Sequence, residues 1–274
     1  MAREFDTVFL ESGTLENTEE HERVRKHLLG ALTATERKGS ARKLALELHR
    51  NPVFDGEYAR KVEGVLTRYL VSFCRGAGFR EGLILAVGIG NEGLTADALG
   101  PQTVKRLTVT EHLVRSGVED PAEGRLAAIE SNVSGVTGIA SFDIVKGVCE
   151  RVRPALIIAI DTLASRKRER LARMIQMSDG GIVPGGGVGN AKTAFDRAHL
   201  GVPVIAIGVP LVIYARHLAA EYAAAAATPP KGEEDDLVVT LKEIDLGVKT
   251  YAAIIAGAVN GAVRRLASHP FSDA

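Results

Sequence analysis

Leu83-Ile84-Leu85-Ala86-Val87-Gly88 says most about how this chain folds. Five apolar residues follow one another without a charge and stop at a glycine. A half-exposed strand alternates apolar with polar residues. A short run that is apolar on both faces suits the middle of a sheet with helices above and below it. Three other runs share this texture: Leu126-Ala127-Ala128-Ile129, Ala155-Leu156-Ile157-Ile158-Ala159-Ile160 and Val202-Pro203-Val204-Ile205-Ala206-Ile207. Met174 to Met177 is a weaker candidate, read as an edge strand. Helical patterns lie between the runs, over Ala98 to Leu107 and over Ser141 to Val152, where Ile144, Val145, Val148 and Cys149 are apolar. This alternation predicts an α/β fold, a three-layer α/β/α sandwich with a mostly parallel sheet.

The flanks read as helical. Asn17 or Thr18 can cap a helix with Val24, Leu28 and Leu32 on one face, and a short helix is expected from Ala41 to His49. Tyr58, Val62, Val65, Leu66, Tyr69, Leu70 and Phe73 recur at three- and four-residue spacing before Gly76 and Gly78. At the other end, Thr240 and Glu243 form a capping box before the stripe of Ile244, Val248, Tyr251, Ile255, Val259, Val263 and Leu266. Residues 219–236 read as an alanine-rich helix end and an acidic loop. The expected organisation is a helical region, 1–80, packed on an α/β domain, 81–274, as one compact whole. The long stripes predict a homo-oligomer.

Composition excludes several classes. The 274 residues carry 34 Lys+Arg and 34 Asp+Glu, so there is no basic excess to neutralise nucleic-acid phosphates. The two cysteines, Cys74 and Cys149, lie in apolar patterns and read as buried thiols of a reducing compartment. The longest uncharged stretch, Ala198 to Ala215, is broken by Pro203 and Pro210, so no membrane partner is expected. No apolar leader follows Met1.

Two glycine-rich loops imitate nucleotide sites. Gly88-Ile89-Gly90-Asn91-Glu92-Gly93 satisfies G-x-G-x-x-G after a strand. However, the next helix begins only near Asp97 to Pro101, and Glu130 is too distant for the acidic partner of a dinucleotide fold. Gly186-Gly187-Val188-Gly189-Asn190-Ala191-Lys192-Thr193 is one residue from a P-loop but lacks the strand directly before it. The seven histidines form no ligand pair with an acid, and Ser165 lies in no nucleophile elbow. Arg166-Lys167-Arg168-Glu169-Arg170, with Arg173, reads as a solvated helix face that could also attract an acidic substrate.

Asp97 and Asp161 are the candidates for chemistry. Each follows an apolar run, and ligands of open α/β sheets bind outside the carboxyl ends of the strands. Two carboxylates there can divide acid and base work or hold a metal. Equally, each could cap a helix or turn.

These residues belong to longer blocks: Leu85 to Asn91 running on to Thr95 to Pro101, Gly135 to Ile139, Ile158 to Arg166, Ile175 to Ile182, Pro184 to Asn190, Leu200 to Pro210 and Val239 to Asp245. In order and spacing they resemble the germination proteases of spore-forming bacteria, endopeptidases that degrade small acid-soluble spore proteins. The resemblance implies a fold shared with hydrogenase maturation proteases and an atypical aspartic mechanism on Asp97 and Asp161. Gly90, Asn91, Asp179, Gly187 and Asn190 are the expected supporting or substrate-binding residues. A cytoplasmic enzyme of the spore core, assembled as a homotetramer, is implied. So are substrates cut beside a Glu, with no cofactor, no metal ligand and no direct nucleic-acid partner. Residues 1–80 depart from the family pattern, so removal of a pro-segment at the usual place is not expected. The alternatives are a divalent metal on the same carboxylates, or a non-catalytic spore protein that keeps the fold.

Overall fold

The computed structural model describes residues 23–118, 120, 124–184, 193–223 and 237–268. The first described elements correct the helical reading of the N-terminal region. Strands β1 (Arg23–Leu28), β2 (Leu32–Lys38) and β3 (Arg42–Leu48) form an antiparallel meander. The reason is a period of two. Leu32 and Ala34, and Leu44, Leu46 and Leu48, all bury their side chains on one face. Val24 and Leu28, which suggested a helical stripe, are 54% and 73% exposed.

The remaining strands are β4 (Leu83–Gly88), β5 (Arg125–Glu130), β6 (Leu156–Ser165), β7 (Met174–Ser178), β8 (Val204–Tyr214) and β9 (Val238–Thr240). The helices are α1 (Gly56–Gly76), α2 (Leu99–Val104), α3 (Glu111–Arg115), α4 (Ser134–Thr137), α5 (Ser141–Val152), α6 (Arg197–Leu200), α7 (Ala215–Ala223) and α8 (Ile244–Ser268). All nine strands among the described residues join one sheet in the order β1-β2-β3-β7-β8-β6-β4-β5, with β9 also on β8.

The α/β architecture is as expected, but the sheet is mixed. Only β8, β6, β4 and β5 run parallel. The turn Arg166–Arg173 is too short for a parallel crossover, which needs about a dozen residues or more. β7 therefore returns antiparallel to β8. It is an interior strand rather than the expected edge, because β3 pairs with its other side and joins the N-terminal meander to the sheet.

Helices α1 and α8 cover one face. Asp55 caps α1 by accepting the Tyr58 N–H at 2.9 Å, and the predicted stripe from Tyr58 to Phe73 is buried apart from Tyr69. Glycines let α8 lie close on α1. A Cβ on Gly257 would overlap the Glu63 carboxylate, and one on Gly261 would come within 3.2 Å of Thr67. By length and composition α8 could cross a membrane, but 61% of its most apolar window is buried inside the fold. The stripes of α1 and α8 thus cover each other and the sheet within one chain. The capping box does not form as read: Thr240 ends β9 and donates its hydroxyl to the Leu211 carbonyl at 2.6 Å. On the opposite face, Val145 and Cys149 of α5 pack on Leu85, Val87, Ile157 and Ala159. Both cysteines are buried and free, and burial pushes their thiols up to about 12 for Cys74 and about 11 for Cys149.

Candidate active site

Asp97 ends a single 3-10 turn, Thr95–Asp97, in the loop that leaves β4. Three glycines seat this turn. A Cβ on Gly90, whose φ is +122°, would overlap the Asp97 carbonyl. A Cβ on Gly88 would come within 2.5 Å of the Gly100 carbonyl, and one on Gly100 would overlap Ile89 and approach the Ile160 carbonyl at 2.7 Å. The glycines that imitate a dinucleotide motif therefore allow close backbone packing. The carboxylate of Asp97 accepts the Asn91 N–H at 2.8 Å, and the Asn91 side chain accepts the Gly93 N–H at 2.9 Å.

The Ile89 N–H donates to the Ile160 carbonyl at 2.8 Å, one residue before Asp161. The Asp97 turn packs against β6 and β8. Asp161 lies inside β6 rather than at its end, because β6 continues to Ser165 alongside β8. It stands where β4 stops pairing, since the β4–β6 ladder ends at Gly88 and Ile160. The turn of Asp97 is thus held on the strand of Asp161, at the carboxyl edge of β4. Asp161 is 5% exposed. At the carboxyl edge of the parallel strands, the loops after β4 and β5 present exposed Leu94, Val136 and Ile139.

Gly90 and Asn91 shape the turn that carries Asp97. Asp179 lies away from that turn. Its carboxylate accepts the Arg42 N–H at 2.7 Å, and its own N–H donates to the Arg42 carbonyl at 3.1 Å, which ties β7 to the start of β3. Burial raises its carboxyl above the usual range, while the Arg42 N–H and guanidinium oppose the rise. Gly187 and Asn190, with the P-loop-like run, lie outside the described residues. The Ser165 hydroxyl donates to the Lys167 carbonyl at 2.7 Å, which makes it a turn former. Among the described residues no three His, Cys, Asp or Glu side chains gather as a metal cluster.

One neighbour escaped the sequence reading. Asp161 pairs with Gly208, which pairs with Gln176, so all three share one row and one face of the sheet. Gln176 is 1% exposed, and its Oε1 finds no hydrogen-bond partner among the described residues. A buried amide oxygen without a partner is costly, and such groups concentrate at functional sites. The signal was a single amide within the otherwise apolar Met174-Ile175-Gln176-Met177.

Comparison with known proteins covers most of the chain. The family model for germination proteases matches residues 7–224. The germination protease of Bacillus pumilus is 39% identical over 211 residues, 76% of this chain and 54% of that protein. That of Bacillus subtilis is 42% identical over 187 residues, 67% of this chain and 51% of that protein. That of Caldanaerobacter subterraneus is 39% identical, covering 68% of this chain and 67% of that protein. The chain spans about half the length of the two Bacillus relatives. Among solved structures, the NiFe hydrogenase maturation protease HycI of Thermococcus kodakarensis aligns over 70% of this chain and 98% of its own, with a TM-score of 0.40 and 15% identity. The family match starts before β1, so the meander that seemed foreign to the family lies within its pattern. A match that runs through every strand from β1 to β8, joined by relatives about 40% identical, makes this chain a member of the germination protease family.

Proposed function

We propose that the protein is an endopeptidase that hydrolyses small acid-soluble spore proteins, with Asp97 and Asp161 as its acid and base. The observation that carries this reading is the seating of the Asp97 turn on the strand of Asp161. Two carboxylates beside one scissile bond divide the work, because like charges in one site favour a state with a single shared proton. The ionised carboxylate takes a proton from water as the oxygen attacks the peptide carbonyl. The protonated one then donates to the leaving amine. Family membership supports a role in spores, and the exposed apolar rim supports peptide docking. The same reading takes the enzyme to be cytoplasmic, a homotetramer in the spore core and independent of cofactors.

Purified protein incubated with a small acid-soluble spore protein should yield a few discrete fragments by mass spectrometry, and equally so with EDTA present. An intact substrate would refute the peptidase reading. Fragments that disappear with EDTA and return with added divalent metal would replace it with metal-activated water on the same carboxylates.

Asp179 separates this pair from a bystander. A carboxyl raised in the folded state holds its proton more firmly than in the unfolded chain. Its favourable contribution is complete below the unfolded value and is lost as pH rises through the raised value. Asp179→Asn keeps an acceptor for the Arg42 N–H and removes that loss. The variant should be at least as stable as wild type at neutral pH, with the advantage gone near pH ~3, below the usual Asp value. Its hydrolysis should be unchanged. A drop of about tenfold or more would put Asp179 among the acid–base groups.

A further inference from the structure

Strand β6 outruns its neighbour on one side. β8 follows it to Ser165, whereas the β4 ladder ends at Gly88 and Ile160. Just beyond, the chain of β4 turns away at Gly90, whose φ is +122° and against which the Asp97 turn packs. Among the described residues no strand takes its place. The far limit is the connection to β7, residues 166–173. Its basic run is a turn and not the helix face that the sequence suggested, with Arg168–Arg170 in one 3-10 turn. Asp161 to Ser165, about 13 Å of strand, therefore has a partner on one side only.

Two bonds show where the free groups point. The Ile157 N–H donates to the Pro203 carbonyl, on the β8 side, at 2.9 Å. The Ile160 carbonyl accepts the Ile89 N–H, on the β4 side, at 2.8 Å. Successive residues of a strand in a parallel sheet send their N–H and C=O to opposite neighbours. Asp161 and Leu163 thus bond β8, while Thr162 and Ala164 direct both groups into the space that β4 leaves. The register irregularity between Leu163 and Ala164 preserves this alternation, because the extra residue, Leu211, is in β8.

Burial agrees. Thr162 and Ala164 are the only residues of β6 that are not buried. Among the described residues neither makes a backbone bond outside the ladders. The Thr162 Oγ1 is itself buried without a partner among them, a second polar group of the same residue left open.

We propose that this open edge binds the main chain of the substrate. An extended peptide segment takes the line vacated by β4 and pairs with the N–H and C=O of Thr162 and Ala164, which lays its scissile bond beside Asp97 and Asp161. The proposal rests on the peptidase reading above and adds how the substrate is held. Strand addition to an exposed sheet edge holds peptides through main-chain bonds, so affinity depends little on sequence. Three observations favour a substrate strand as the occupant. The open edge begins at Asp161 itself, and exposed Leu94, Val136 and Ile139 lie on the loops that leave β4 and β5 at the same carboxyl edge. Thr162-Leu163-Ala164-Ser165 carries no charge and no Pro, the usual devices against stray pairing, whereas the outer strand β1 carries Arg23, Arg25 and Lys26. The edge also lies inside the sheet order, with β4 and β5 beyond it, so it admits one unfolded strand rather than the rim of a second folded copy.

The test uses a spore-protein peptide whose cleaved bond has been located by mass spectrometry. Single N-methyl groups are placed in turn on the main-chain nitrogens of the four residues on each side of that bond, sparing the bond itself. The Thr162 and Ala164 carbonyls accept from two peptide N–H groups that are two residues apart, whichever way the peptide runs. Two positions of that spacing, on one side of the bond, should each lose about tenfold or more in kcat/KM, and the position between them should stay within about threefold of the parent. Losses that do not alternate, or no loss anywhere, would overturn the proposal. Amide hydrogen exchange reads the edge directly, on wild type if it leaves the peptide intact and on Asp97→Asn otherwise. The Thr162 and Ala164 amides should exchange freely without peptide and about tenfold or more slowly with it, while Asp161 and Leu163 stay slow throughout. Thr162 and Ala164 amides already protected in the free protein, or unchanged at saturating peptide, would overturn the proposal. If the parent peptide is not cut, the peptidase reading fails by itself, and the exchange measurement alone decides the edge.

Discussion

Asp97→Asn and Asp161→Asn are each expected to lower hydrolysis of a spore-protein substrate by at least ~10²-fold, the low end for removing an acid or base from a reaction. Asn keeps the size of Asp but can neither take nor give the proton. At position 97 it can still accept the Asn91 N–H, so the turn should persist. At position 161, which is 5% exposed, the neutral amide replaces a carboxylate of the same shape. Melting temperature should therefore change little while turnover collapses. Groups that act as a unit are non-additive, so the double variant should be hardly slower than either single one. Folded single variants with near-wild-type turnover would remove both residues from the chemistry.

Gly90→Ala should be the most damaging single methyl group in the site. It forces an alanine to a φ of +122° and drives its Cβ into the Asp97 carbonyl. Strain and overpacking together are expected to cost roughly 2–5 kcal/mol. The turn that holds Asp97 must shift to relieve them, so turnover should fall even under conditions where the variant is folded. Urea unfolding and initial rates on the same preparation read the two effects separately. A variant within ~0.5 kcal/mol of wild type, the range of a harmless surface change, would show that the loop accommodates a side chain.

The central strands were legible because burial on both faces leaves a mark that no neighbour can hide. β4, β6 and β8 stand where their apolar runs are. The meander was hidden for the opposite reason. Arg23 to Leu48 is rich in Arg, Lys, Glu, Leu and Ala, residues that favour helices. Its strand character depends on pairing with Met174–Ser178, far along the chain. Leu46-Glu47-Leu48 did alternate in the way a strand does, but a short alternation is easily outweighed by composition. The placement of the candidate site's residues was half legible. Asp97 and Asp161 stood out as acids after apolar runs. The place of Asp161 within β6 did not, since only the partner β8 extends the strand to Ser165. The position of Asp179 at a joint between strands was equally invisible without that joint.

The pairing of β3 with β7 also sets an order of events at the ribosome. Lys43 to Glu47 pair with β2 on one side, but on the other side their partners are Met174 to Ser178, about 130 residues later. At roughly 5–20 residues per second, the meander waits roughly 7–26 s after synthesis before that partner strand exists. Throughout the wait β3 presents a row of unpaired N–H and C=O groups, the kind of edge that recruits stray strands. The arginines and lysines spaced along β1, β2 and β3 then act as guards for a nascent chain: their mutual repulsion keeps neighbouring copies apart until β7 emerges to close the seam.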